Sequence, residues 1–187
     1  HAFRMLGTTM ERELDVVRLD PAYRVWHAGG EPVELRSDRA DSVAVFEGIE
    51  PGAGAALESY LDSAERVSSL AVDGLLYNRF ESPASLRGTG VVREAGTLSR
   101  LLLEPLARRI DRTVTDERLR QILGYPAVFL GTNPYAAPSM YHLMSHFDLV
   151  EGVGYPVGGF GTIVDAFARL ATAHGVTIET GARGSAI

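Results

Sequence analysis

The sequence predicts an α+β fold, in which an antiparallel sheet with a β-hairpin packs against several helices and a terminal strand–helix–strand piece follows. Three observations carry that prediction. Two short alternating runs, Tyr23-Arg-Val-Trp-His27 and Pro32-Val-Glu-Leu-Arg36, flank Gly29-Gly30, the patterning of a hairpin. Leu57, Tyr60, Leu61, Ala64, Val67, Leu70 and Ala71 then recur at helical spacing, so one stripe faces a core. Near the end, residues 153–157 read as a short strand, 163–174 as a helix and 176–180 as a second strand.

Taken in order, residues 1–7 read as an amphipathic helix, and Leu14-Asp-Val-Val-Arg-Leu-Asp-Pro21 alternates as a strand does. Asp20-Pro-Ala-Tyr23 reads as an Asx-type turn with the tyrosine packed on the sheet. Glu50-Pro-Gly52 announces a helix over about 54–77. Residues 81–96 carry Ser, Pro and Gly without a strong period and read as a loop. Residues 97–110 form another apolar helix, which Pro105 either kinks or restarts. Thr115-Asp-Glu reads as an N-cap with acidic first-turn residues, opening a helix that Gly124-Tyr-Pro126 stops. The apolar run Ala127-Val-Phe-Leu130 leads into a Gly-Thr-Asn-Pro loop, and Pro138 opens a helix to about residue 147. Gly158-Gly159 forms a tight turn, and Gly175 ends the following helix.

Composition excludes several chemistries. With 45% hydrophobic and 22% charged residues over 187 positions, the chain has material for one domain, or one domain and part of another. All 18 basic residues are arginine, so this chain holds no Schiff-base, pyridoxal or P-loop lysine. It also lacks cysteine, which removes thiol catalysis, disulfides and thiolate metal sites. A net charge of −6 with scattered arginines argues against nucleic acid as a partner. No apolar run reaches the length of a membrane span, and a cytoplasmic location is expected. The chain begins inside a helical pattern and stops as an apolar pattern resumes, so an internal piece of a longer protein is expected.

Two motifs invite a site. His142 and His146 stand four apart with Asp148 behind them, but position 143 is Leu where a metalloprotease helix carries Glu, so no metal is expected. Gly152-Val-Gly-Tyr-Pro-Val-Gly-Gly-Phe-Gly161 departs from a dinucleotide fingerprint, because Val157 occupies the third glycine position and Pro156 interrupts the turn.

That glycine-rich segment, together with Gly131-Thr-Asn-Pro-Tyr-Ala-Ala-Pro-Ser-Met-Tyr-His-Leu-Met144 and Leu-Asp-Pro-Ala-Tyr-Arg at 19–24, resembles the FAD-dependent carotenoid desaturases, the phytoene dehydrogenase family of the amine-oxidase-like flavoproteins. The resemblance implies that residues 1–150 are a substrate-binding domain and 151–187 a strand–turn–helix–strand segment returning to an FAD-binding domain. It implies FAD in the parent protein, near Tyr155, Pro156, Gly158 and Gly159, with none bound tightly to this piece, which would be inactive alone. The catalytic residues stay unassigned. The expected substrate is a long apolar isoprenoid such as phytoene, lined by Phe129, Met140, Tyr141 and Met144. Related readings are a flavoprotein acting on another isoprenoid or an amine, and a non-catalytic lipid-binding module. A lipid-soluble substrate also implies peripheral membrane contact in the parent. An apolar face over 153–187 implies self-association of the piece.

Overall fold

In chain order, the computed structural model contains helices α1 (Ala2–Met5) and α2 (Met10–Glu13), strands β1 (Val16–Arg18), β2 (Tyr23–Val25) and β3 (Val33–Leu35), and helices α3 (Arg39–Ile49) and α4 (Ala53–Leu70). Helices α5 (Ala95–Leu103), α6 (Leu106–Asp111) and α7 (Glu117–Gly124) follow, then 3-10 helices Tyr125–Leu130 and Ser139–Leu143. The chain continues through α8 (Met144–His146), a π-helical turn Phe147–Glu151, strand β4 (Gly154–Pro156) and helix α9 (Gly161–Ala173). The structure describes residues 2–28, 30–72 and 93–183. The expected loop over 81–92 and the helical continuation over 73–77 lie outside them.

The mixed class is as the sequence predicts, with two small antiparallel sheets among helices. The chain divides into two compact units: Leu19–Val153, and His1–Arg18 with Gly154–Ile187.

In the first unit the predicted hairpin is present, pairing Tyr23 with Leu35, Arg24 with Glu34 and Val25 with Val33. The pleat alternates, so Val33 and Leu35 enter the core with Tyr23 and Val25 packed against it, while Arg24 and Glu34 meet 2.6 Å apart on the exposed side. Helix α4 buries Leu57, Tyr60, Leu61, Ala64 and Val67, the predicted stripe. The same apolar cluster takes in Phe46 of α3, Leu106 and Ile110 of α6, and Leu119, Ile122 and Leu123 of α7. Full burial of each such side chain contributes roughly 1.5–3 kcal/mol.

Caps explain where these helices start. The Asp38 carboxylate accepts the Ala40 and Asp41 amides at 2.8 and 3.2 Å and opens α3, an element that the pattern over 37–49 does not announce. Glu47 reaches forward from α3 to the Gly52 and Gly54 amides, each at 3.0 Å, fixing the short link into α4.

Four expectations need correction, and an alternative left open at Pro105 is settled. Residues 1–7 hold only one turn of helix, α1, with α2 starting separately. Of the two readings at Pro105, the restart holds: Pro105 caps α6, and its ring leaves no amide to continue α5. The N-cap of α7 is Asp116 rather than Thr115, its carboxylate accepting the Arg118 amide at 2.9 Å. The helix expected over 138–147 is instead a succession of 3-10, α and π turns, beginning after Pro138. Residues 176–180 form no strand; no described strand pairs with them, and alternation without a ladder partner does not make one.

The second unit is thinner. β1 and β4 pair antiparallel, Val17 opposite Tyr155, and the Val157 amide bonds the Asp15 carbonyl at 2.8 Å. Phe3 of α1 stacks on Phe167 of α9, ring centroids 4.9 Å apart, and Arg169 pairs with Glu13 at 3.0 Å.

Candidate functional site

Within the unit Leu19–Val153, the stretch 131–139 is fastened to the start of α6. The Leu106 amide donates to the Ala137 carbonyl and the Ala107 amide to the Pro134 carbonyl, each at 2.8 Å. These are first-turn amides that no intrahelical carbonyl can reach, so the loop acts as the cap of α6. The Asn133 side chain accepts from the Tyr135 and Ala136 amides and closes an Asx turn. Gly124 lets Pro134 approach, since a β-carbon there would stand 3.0 Å from the proline ring.

This arrangement opens a groove of about 390 Å³, with Ala107, Ile110, Tyr125, Val128, Pro134 and Tyr135 as its apolar walls. Its polar edge is already engaged: Arg120 pairs with Asp111 at 3.5 Å, and the Gln121 amide donates to Glu117 at 3.3 Å. An apolar wall with a satisfied polar edge suits a hydrocarbon chain better than a charged ligand. A second hollow, about 620 Å³, is lined by Arg66, Arg93, Arg100, Glu65 and Glu94 beside Leu70 and Leu98, which is poorly suited to hydrocarbon.

An aromatic ladder borders the groove. Tyr23 stacks on Tyr125 at 5.9 Å and Tyr125 meets Phe129 edge-on at 5.3 Å. At its inner end the Tyr23 hydroxyl donates to Asp148 at 2.8 Å. Burial raises the Asp148 pKa, while the phenol bond partly offsets that; burial and the adjacent carboxylate hold Tyr23 firmly protonated.

Deeper in the same unit lies a polar sandwich. The His142 ring is fully buried, and its Nδ1 carries the proton, because its partner 2.7 Å away is the Ser139 carbonyl. Nε2 therefore accepts from the Ser63 hydroxyl at 3.0 Å. Burial, helped by the Arg109 charge, pushes the His142 pKa down to about 4, so the ring is neutral at pH 7. Tyr60 stands edge-on to His142 at 5.3 Å, and the Arg109 guanidinium lies 5.4 Å from the centre of the Tyr60 ring. With both ring nitrogens in use, His142 has no lone pair free for a metal. Among the described residues no group of three His, Asp or Glu side chains could hold one.

In the other unit, β4 leads through Pro156 into a turn where Gly158 and Gly159 have φ of +88° and +89°. Side chains rarely adopt that conformation, which explains the glycine pair. Tyr155 and Phe160 meet edge-on at 5.4 Å across the turn. Pro156 is buried, whereas Tyr155 and Gly158 are exposed and Gly159 partly so.

No family model matches the chain. Curated relatives do. Carotenoid 3,4-desaturase of Haloarcula japonica is 34% identical over 96% of this chain and 36% of its own length. Phytoene dehydrogenase of Streptomyces griseus is 31% identical over 97% and 36%, and phytoene desaturase of Fusarium fujikuroi 27% identical over 99% and 33%. Over nearly its whole length the chain is similar to carotenoid and phytoene desaturases, as a fragment of a phytoene dehydrogenase family protein would be. It spans about a third of the length of these relatives.

The residues singled out from the sequence are dispersed. Tyr155, Pro156, Gly158 and Gly159 lie together on one turn. Phe129 is 64% exposed on the aromatic ladder, while Met140, Tyr141 and Met144 are half-buried on the segment around His142 and line neither hollow. The groove walls Ala107, Ile110, Val128 and Pro134 escaped the sequence reading. Their signal was the Gly124–Pro134 pair, a close approach that only the fold brings into contact.

Proposed function

We propose that this chain supplies the substrate-facing part of an FAD-dependent desaturase acting on a long apolar isoprenoid, phytoene or a related carotenoid precursor. The observation that carries the reading is the apolar groove of Ile110, Tyr125, Val128, Pro134 and Tyr135, in a chain whose relatives are named for carotenoid and phytoene desaturation. Residues 1–150 then act as the substrate-binding domain, and 151–187 as the segment leading to a flavin-binding domain.

The turn at 155–159 fits the edge of a flat ring system. Two glycines leave its backbone bare, and Tyr155 with Phe160 offers apolar ring surface. Tyr155, Pro156, Gly158 and Gly159 are the residues assigned to hold the ring; the pyrophosphate needs a glycine-rich fingerprint that this chain lacks. FAD, when bound, supplies the two-electron acceptor for desaturation. The residues of this chain bind and orient the hydrocarbon and exclude water from it.

Visible absorbance after incubation with FAD tests this reading. A full-length protein containing this sequence is expected to be yellow and to desaturate phytoene, whereas the 187-residue chain is expected to stay colourless and inactive. A colourless full-length protein would overturn the flavoenzyme reading and leave lipid binding by this chain as its activity. Self-association is assigned to Val157, Phe160 and Val164, which lie exposed around the turn and α9. A clean monomer in sedimentation across micromolar concentrations counts against it.

A further inference from the structure

We propose that the hollow between α4 and α5 binds a diphosphate group borne on a short hydrocarbon chain. Each helix turns one face toward it: Ser63, Arg66 and Leu70 recur three and four apart on α4, and Thr97 and Arg100 three apart on α5. Together with Arg93, just before α5, they line one cavity of about 620 Å³. Buried Val67 follows Arg66 and buried Leu101 follows Arg100, so both side chains spring from backbone that packing holds in place. Three guanidinium groups therefore meet at one place, and the guanidinium fork matches paired phosphate oxygens better than any other side chain does.

What sets these three apart is the lack of a carboxylate partner. Arg24, Arg39, Arg112, Arg118 and Arg120 of the same unit each have one. Arg66, Arg93 and Arg100 have none among the described residues, although a net charge of −6 leaves carboxylates in excess. Two glutamates line the hollow as well, but Glu65 is drawn to Arg39, 4.0 Å away, which leaves three cations facing Glu94 alone. Like charges gathered without a counter-ion repel one another, and a bound anion of more than one charge relieves that repulsion.

The rest of the wall fixes the other half of the ligand. Val67 and Leu98 are buried and Leu70 half-buried beside the arginines, while Ser69 and Thr97 add hydroxyl groups. Hydrocarbon alone has no reason to enter among three guanidinium groups, whereas hydrocarbon tethered to a diphosphate does. An isoprenyl diphosphate has both parts; inorganic diphosphate has only the first. The isoprenyl chain rests on the proposed function, and the diphosphate site rests on the residues of the hollow alone.

Calorimetric titration of the 187-residue chain with inorganic diphosphate and with geranyl diphosphate needs no flavin, so its failure is separate from failure of the desaturase reading. Both ligands are expected to bind in about 50 mM salt and to weaken as salt rises, since the arginines are exposed. Geranyl diphosphate is expected to bind about tenfold more tightly, through Leu70 and its apolar neighbours. Arg66→Gln and Arg100→Gln are each expected to weaken both ligands about tenfold. Arg108→Gln on α6, also exposed and without an ion pair among the described residues but outside the hollow, is expected to change neither. All three side chains are exposed, so folding should persist, and circular dichroism verifies that. No binding of either ligand at millimolar concentrations, or a loss with Arg108→Gln equal to the others, would overturn the site. Equal affinity for the two ligands would overturn the hydrocarbon half and assign the hollow to free diphosphate.

Discussion

The unit Leu19–Val153 and the unit formed by His1–Arg18 with Gly154–Ile187 are stabilised in different ways. The first gathers side chains from β3, α3, α4, α6 and α7 into one apolar core, and Leu35, Phe46, Leu57, Leu61, Leu106 and Leu119 are fully buried. The second fully or nearly buries only Phe3, Pro156 and Ala166 among its described residues, and relies on a three-residue ladder, one ring stack and one exposed ion pair. A dense apolar core tolerates deletion badly, whereas a thin unit has less to lose at any one residue. Exposed ion pairs such as Arg169–Glu13 add at most about 1 kcal/mol.

The largest test of that contrast deletes one phenyl ring from each unit. Phe46→Ala is expected to cost about 3–5 kcal/mol, since the ring is enclosed and its loss leaves a cavity. Phe3→Ala removes one face of the Phe167 stack at a nearly buried position and is expected to cost roughly 2 kcal/mol. Urea unfolding followed by circular dichroism gives both values. Equal losses would show that the second unit is as tightly packed as the first.

The next effect belongs to the polar part of the first unit. His142 has a pKa of about 4 in the fold against 6.5 for the free side chain. The unfolded chain therefore binds the proton first, and stability falls as pH drops from about 6.5 towards 4, where the folded ring titrates as well. The full contribution is roughly 3 kcal/mol, and it is present above pH 6.5. His142→Gln, which keeps a donor and an acceptor, is expected to flatten this dependence while remaining folded at neutral pH. Unfolding curves at pH 7, 6 and 5 for the two proteins decide it. A parallel fall in both would place the acid sensitivity elsewhere, with Asp148 excluded because its raised pKa acts in the opposite direction.

Periodicity made the first unit legible where one rule acted alone. The stripe on α4 and the alternation of Tyr23, Val25, Val33 and Leu35 each follow from a single apolar face. It failed where distant residues supply the missing partner. At Pro105 it left a kink and a restart both open, and the choice is made by the carbonyls of Pro134 and Ala137, far along the chain, which receive the amides of α6. The groove is equally non-local, since Ala107, Tyr125 and Pro134 come from three segments. In the second unit, the turn at Gly158-Gly159 could be read because positive φ selects glycine in any context. Residues 176–180 could not, because a strand depends on a neighbour that alternation does not encode.

The smallest predicted effect separates backbone strain from side-chain crowding at that turn. Gly158 and Gly159 have nearly the same φ, so alanine at either carries a left-handed penalty of about 1–2 kcal/mol. The surroundings differ: a β-carbon at Gly158 would stand 3.0 Å from Thr162 Cγ2, and one at Gly159 an ordinary 3.5 Å from the Tyr155 hydroxyl. Gly158→Ala is thus expected to lose slightly more than Gly159→Ala, with both losses confined to faster amide exchange in α9 and none in α4. Gly158→Asn should recover part of the loss, because Asn tolerates the left-handed region while crowding Thr162 no less than Ala does. If Asn restores nothing, contact with Thr162 outweighs the backbone term, and the glycine is there for the close approach of the helix rather than for its φ.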